Sequence, residues 1–471
     1  MPTLEAIIGL EVHAQMSTKT KMFCGCDNDA FGKEPNTTVC PICMGHPGTL
    51  PVPNKEAVSK AVRASLAIGC TIAPDCHFDR KHYFYPDLPA GFQISQYDFP
   101  LSKGGVVEYE GGTCRITRLH MENDAGKLTH VGSTTLCDYN RAGTPLMEIV
   151  TEPDLRNAEQ AVAFAQELRR ILIAVSASEA DMFKGMMRFD ASISLRQVGT
   201  EKLNPRSEIK NLNSFKALER ALQYEEKRLR DVWEETGGPL KGNITVGWMD
   251  DEGKTRMLRD KEDAQDYRYF PEPDIPPLHF EAKNIAVIKK ALPPLPRAER
   301  DRYAALGLSL SEAMQLMDDS SLRTIFDAVY AQTKDAKRSS SIVLSQLVGF
   351  LKADEKAAGD GPDAEAILEL IAAIDAGTIS ANAGKEVLET MVKTGKPASA
   401  IIKEGGMQQI SDDAALEDLV KKAIAANSKS VADFKAGKQA ALGAIVGWIM
   451  KETKGQANPG KVNEMLRKTI S

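Results

Sequence analysis

The sequence predicts an α+β fold: an antiparallel sheet with accompanying helices in the first part of the chain, then an all-α part. Three observations carry that reading. Segments with period-two alternation, which sends successive side chains to opposite faces of a sheet, recur through the first part of the chain. Helical apolar spacing appears between them, and beyond about residue 295 it takes over, with Ala, Leu, Lys and Glu dominating and aromatics thin. Finally, 471 residues are too many for one hydrophobic core, so two to four domains are expected. The first boundary falls after residue 294, marked by the stiff stretch Leu292-Pro-Pro-Leu-Pro-Arg297.

The opening strand, Ala6 to Met16, sends Glu11, His13 and Gln15 to one face and Leu10, Val12 and Ala14 to the other. A carboxylate and an imidazole on an apolar strand must meet a cation or a hydrogen-bonding partner, unless this is an edge strand whose polar face meets water. Next come Cys24-Gly-Cys26 and Cys40-Pro-Ile-Cys43 on Gly/Pro-rich loops. Each tight turn brings two sulfurs to one point, as a tetrahedral thiolate zinc site requires; four unmetallated thiols are the alternative. Four thiolates leave no open position, so such a site is structural. Cys70, Cys76, Cys114 and Cys137 read as small core residues.

Glu56 to Ile68 has helical spacing and Gly69 as its stop. The loop from His77 to Gln96 is dense in aromatic and cationic side chains, suited either to stacking on a base and holding phosphates or to filling a core. Three further strand-like segments carry polar groups on one face: Arg118, His120, Glu122 and Asp124; then Glu148 among apolar neighbours; then Arg188, Asp190, Ser192, Ser194 and Arg196. Helices are expected at Glu159 to Ala174 and Phe215 to Trp233. The sum is a sheet with one polar, mixed-charge concave face.

The formal net charge of -6 excludes a uniformly basic nucleic-acid coat, but charge is segregated. Lys421, Lys422, Lys429, Lys435, Lys438, Lys451, Lys454, Lys461, Arg467 and Lys468 crowd the end of the chain, as a solvated helical face or as a nucleic-acid contact. Neither a signal-peptide pattern nor an apolar run long enough to span a bilayer is present, which predicts a cytoplasmic protein without a membrane partner. Glu11, His13, Glu122, Glu148 and Asp190 offer hard oxygens plus one imidazole, suited to Mg²⁺ or Mn²⁺ and hence to phosphoryl transfer. No P-loop motif occurs, so ATP, if used, sits on an open sheet.

Several unusual strings occur in order along the whole chain. They are Ile8-Gly-Leu-Glu-Val-His13, Tyr83-Phe-Tyr-Pro-Asp-Leu-Pro89, Gln93-Ile-Ser-Gln96, Met121-Glu-Asn-Asp-Ala-Gly-Lys127, Asn140-Arg-Ala-Gly-Thr-Pro-Leu146, Glu208-Ile-Lys-Asn-Leu-Asn-Ser214, Asp266-Tyr-Arg-Tyr-Phe-Pro-Glu-Pro-Asp274 and Gly455-Gln-Ala-Asn-Pro459. Together they closely resemble the B-subunit (GatB/GatE) family of aspartyl/glutamyl-tRNA(Asn/Gln) amidotransferases. The resemblance implies an α+β protein with an antiparallel-sheet catalytic cradle similar to glutamine synthetase over 1–294, then an all-α helical domain over 295–405, then a small helical tail domain over 406–471 contacting the tRNA elbow. It implies phosphorylation of the misattached Glu or Asp by ATP with Mg²⁺, then displacement of phosphate by ammonia. By the same resemblance the metal acids and histidine fall on Glu11, His13, Glu122 and Glu148, and the four cysteines match the family's zinc-bearing members. Asn123 stands where the family usually has an acid, so it is left out of the ligand set.

A carboxylate attacking a γ-phosphoryl group is a meeting of two anions, so cations such as Lys81, Arg141, Lys210 or Arg268 are needed to screen them. No amidase Ser-Lys signature and no glutaminase cysteine is found. Ammonia is therefore expected from a partner that hydrolyses glutamine; the resemblance implies that this is a glutaminase A subunit, in a heterotrimer completed by a small C subunit. Two other classes compete. A non-catalytic RNA-binding or assembly factor has no use for several acids beside an anionic RNA end. A ligase acting on a free amino acid leaves the lysine-rich tail unexplained.

Overall fold

The computed structural model describes residues 3–260, 267–407, 413–435, 438–453 and 456–470. Asp266, Lys454 and Gly455, named above, lie outside them. The chain divides into two compact units, Met1–Ala298 and Glu299–Ser471.

The first unit is built on a 10-stranded sheet. Five strands carry its polar face: β1 (Leu4–Gln15), β2 (Gly112–Asn123), β3 (Pro145–Thr151), β4 (Met187–Gln197) and β5 (Ser207–Leu212). They lie in the order β5-β4-β1-β3-β2, so the opening strand is central and not an edge. Every pairing among these five is antiparallel. The expectation of a wholly antiparallel sheet needs one correction: β5 pairs parallel with Ile244–Met249. A parallel neighbour cannot be reached by a tight turn and needs a crossover. That crossover is the 22-residue helix Phe215–Thr236.

Three helices cover the apolar face. The first, α1 (Lys55–Ala67), starts where the Asn54 side chain accepts from the backbone N–H groups of Glu56 and Ala57. Its exit turns at Gly69, whose φ of +76° a side chain would resist. Likewise α2 (Ala158–Ala174) is capped by Asn157 and α3 (Phe215–Thr236) by Ser214, with Gly237 in the left-handed conformation closing α3. Leu10, Val12, Phe189 and Ile193 from the sheet are buried with Phe164, Leu168, Leu218 and Leu222 from the helices. Each such side chain contributes about 1.5–3 kcal/mol on leaving water. This burial fixes the strand register, because a one-residue slip would turn the polar set into the core.

In the second unit the named elements among the described residues are all helices, joined by short turns. One apolar cluster spans Tyr303 to Ile402, with a π-helical turn at Ser341–Leu347 inside it, and a separate one spans Leu416 to Ile470. No described helix is long and apolar enough to cross a membrane.

Candidate active site

Register brings the polar groups together. His13 on β1 lies opposite Glu148 on β3 and Arg188 on β4, and Glu148 in turn lies opposite His120 on β2. Directly opposed residues share a face, so these four and Glu122, two positions beyond His120, line one patch. His13 Nε2 stands 3.4 Å from Glu148 Oε2 and 4.0 Å from Glu122 Oε1. His120 Nε2 stands 3.3 Å from Glu148 Oε2 and 3.8 Å from Glu122 Oε2. Ser95 Oγ donates to Glu122 Oε2 at 3.2 Å.

The electrostatics follow from this packing. Burial lowers the affinity of His120 for a proton, but the charge of Glu148 and bonds to Glu122 and Glu148 outweigh it and raise its pKa to about 9. Against the same opposition His13 is raised by Glu148 and Glu122. Burial would raise Glu148, yet the two imidazoles hold it well below the usual carboxylate range.

One donor atom each from His13, Glu122 and Glu148 fall within 4.8 Å of one another. Two carboxylates and one imidazole fit a hard divalent cation such as Mg²⁺. Glu11 does not belong to this trio. It faces Asp190 across the β1–β4 pair, and burial, Glu148, Asp190 and Glu208 raise its pKa. Lys210 sits in that second acidic group, with Nζ 2.8 Å from both Asp190 and Glu208.

The remaining cations separate. Lys81 enters from the strand Asp79–His82, its ammonium 5.0 Å from the Tyr267 ring centroid and 5.9 Å from that of Tyr83. Burial disfavours its charge, but the charge of Glu122, together with Tyr269 and Glu148, more than restores it and raises its pKa. Arg141 is committed elsewhere: it donates to the Ala125 and Gly126 carbonyls at 3.0 and 2.7 Å and lies 3.5 Å from Asp124. Arg268 is exposed, with a φ of +43° and its carbonyl 3.1 Å from His82 Nδ1.

Asp124 is itself a hub, 3 % exposed, taking Arg188 at 2.9 Å and Gln15 at 3.0 Å. Asn123, by contrast, accepts from Ile94 N at 2.8 Å, and its carbonyl from Gln93 at 2.9 Å. It ties the hairpin Asp79–Ser95 to β2. The stretch from His77 to Gln96 resolves both ways: Phe78 is fully buried, whereas Phe84 and Tyr85 are exposed. Sequence reasoning passed over His120, Arg188 and Glu208 as site residues, although alternation had already put the first two on the polar face.

The sulfurs of Cys24, Cys26, Cys40 and Cys43 also fall within 4.8 Å of one another. An all-thiolate donor set of that compactness fits Zn²⁺. In the tail, Lys422, Lys438 and Lys468 pair with nearby acids, while Lys421, Lys429, Lys435 and Lys451 are exposed.

Two family profiles match the chain: "GatB/GatE catalytic domain" over residues 6–286 and "GatB domain" over residues 324–470. A full-length relative from Moorella thermoacetica is 45 % identical over 476 residues, covering 99 % of each chain. Relatives from Carboxydothermus hydrogenoformans and Myxococcus xanthus are each 44 % identical; the former covers 100 % of both chains, the latter 99 % of this chain and 98 % of the relative. All three carry the name of the B subunit of an aspartyl/glutamyl-tRNA(Asn/Gln) amidotransferase.

Proposed function

This chain belongs to the GatB/GatE family of amidotransferase B subunits, and on that premise we propose that it is the kinase and transamidase subunit acting on misacylated Glu-tRNA(Gln), Asp-tRNA(Asn) or both. The observation that carries the proposal is the convergence of His13, Glu122 and Glu148 from three strands within 4.8 Å. A cluster of buried acids repels RNA unless a cation sits there, which favours a phosphoryl-transfer site over a passive binding face.

In this reading a side-chain carboxylate oxygen of the attached Glu or Asp attacks the γ-phosphorus of ATP. The bond from that phosphorus to the β–γ bridging oxygen breaks, releasing ADP and leaving an acyl phosphate. Ammonia then forms the C–N bond, the acyl C–O bond to phosphate breaks, and a nearby carboxylate or solvent takes the surplus proton. Mg²⁺ held by His13, Glu122 and Glu148 would supply positive charge between the anions. Lys81 adds a fixed cation on the same side, and Ser95 and His120 orient Glu122 and Glu148. Glu11, Asp190, Glu208 and Lys210 form a neighbouring charged group suited to the nucleotide's remaining phosphates and their counter-ion. Ammonia comes from a glutaminase A subunit, with a small C subunit completing the enzyme, and the lysine-bearing tail grips the tRNA. Zn²⁺ on the four cysteines is structural.

The test is amide formation on radiolabelled Glu-tRNA(Gln) and Asp-tRNA(Asn), with the partner subunits, ATP, Mg²⁺ and ammonium chloride, for wild type and Glu122→Gln. Ammonium bypasses the glutaminase. Amide from wild type and at least about 100-fold less from a variant that still binds tRNA supports the site. Equal rates would remove Glu122 from it, and no amide on either tRNA would favour a binding factor.

A further inference from the structure

Lys21 is fully buried, with 0 % of its surface exposed. A lysine ammonium out of water needs an anionic partner, or it costs several kcal/mol. Among the described residues, no carboxylate stands within 4.0 Å of it. Its Nζ instead donates to Cys43 Sγ at 3.7 Å and to the Tyr139 carbonyl at 3.4 Å. The site is built closely around it: Gly143, at a φ of +90°, packs so near that a Cβ there would stand 3.3 Å from both Cys43 Cβ and Lys21 Cδ.

We infer that Lys21 is the resident counter-charge of the thiolate centre, holding the metal in place and fastening that centre to the turn that carries Arg141. The inference rests on the reading of the four cysteines as metal ligands. Four thiolates around a divalent ion leave a net charge of about -2, and a buried ammonium against one sulfur removes half of it. A donor to a ligating sulfur also draws charge off that sulfur and fixes its orientation, the role outer-sphere partners play at metal sites. The bond to Tyr139 gives the same side chain a second task. The turn is held by Met22 N to Gly143 O at 2.8 Å and Gly143 N to Asp124 O at 2.9 Å, so it runs directly into the Asp124 hub. Asn140 adds bonds to Thr38 N and Glu34 O in the cysteine-bearing loop. A metal lost from the cysteines would leave Lys21 buried without its counter-charge, and opening the loop to hydrate it would release the turn beneath Arg141.

The experiment uses the full chain loaded with Zn²⁺, as wild type and Lys21→Met, challenged with a chromogenic chelator, and in parallel loaded with Co²⁺ for absorption spectra. Release from Lys21→Met is expected about 10–100-fold faster. The thiolate-to-Co²⁺ charge-transfer band should move to longer wavelength, because the sulfur that loses its donor becomes more electron-rich. A folded Lys21→Met with wild-type release and an unmoved band would overturn the inference while leaving the metal site standing. A wild-type chain that takes up neither metal would overturn the metal reading and the inference with it. If Lys21→Met does not fold, Lys21→Met/Cys43→Ser decides: recovery of folded chain supports the pairing, and no recovery overturns it.

Discussion

The hub at Asp124 makes a prediction whose size and order can be worked from the structure. Its carboxylate is buried, while the side chains of Arg188 and Arg141 keep 31 % and 30 % of their surface exposed. At an effective dielectric constant near 20, the contacts at 2.9 and 3.5 Å are worth roughly 5 kcal/mol each before desolvation, which returns most of that. Arg188→Met leaves a buried carboxylate held by Arg141, Gln15 and the Ala125 backbone N–H, at an expected cost of about 3 kcal/mol. Asp124→Asn removes the charge and leaves two guanidiniums that can turn to water, at about 2 kcal/mol. The arginine change should therefore be the worse of the two, because the group that cannot rehydrate is the carboxylate. Urea unfolding followed by tryptophan fluorescence in a Trp448→Phe background reads the first unit alone, since Trp233 and Trp248 both lie in it. With a slope of about 3 kcal/mol/M, the Arg188→Met midpoint should fall by about 1 M. Asp124 is held below its ordinary pKa by Arg188 and Arg141 despite burial. Its contribution is thus complete above the unfolded value near ~3.9 and is lost as pH falls through the lower folded value, so the gap between wild type and Arg188→Met should close below about pH 4. A midpoint within 0.3 M of wild type at pH 7, roughly 1 kcal/mol, or an Asp124→Asn protein weaker than Arg188→Met, would refute the reasoning.

Two other outcomes are expected. Gly45→Ala places a Cβ 2.6 Å from the Ala90 backbone at a φ of +65°, whereas Gly48→Ala, at +82°, meets nothing within 4 Å; the first should cost about 2–3 kcal/mol and the second about 1 kcal/mol in thermal unfolding, and equal losses would deny the close approach. Replacing the exposed Lys421, Lys429, Lys435 and Lys451 by Gln should weaken tRNA binding and flatten its dependence on salt by about 0.9 in the log–log slope for each phosphate no longer neutralised, whereas an unchanged slope in filter binding would assign that face to solvent.

How much of this was legible beforehand differs from residue to residue. Period-two alternation alone put Glu11, His13, His120, Glu122, Arg188 and Asp190 on one face, because a strand's pleat leaves no other choice once Leu10, Val12, Phe189 and Ile193 must be buried. One helix limit, Gly69, was readable as a stop by local chemistry, and the caps at Asn54, Asn157 and Ser214 and the stop at Gly237, which the structure supplied, act just as locally. The cysteine spacing named its donor set for the same reason, each pair being closed by its own turn. Tertiary structure alone decided which of those polar groups meet. Register, set by side chains on the far face of the sheet, placed Glu148 between two histidines and sent Glu11 to Asp190 and Lys210 instead. Of the four cations proposed for phosphate, local sequence could not distinguish Lys81 from Arg141, because what separates them is a carboxylate and two carbonyls supplied from elsewhere in the chain. The parallel partner of β5 and the burial of Lys21 were invisible for the same physical reason: each depends on contacts between segments whose separation along the chain carries no local signal.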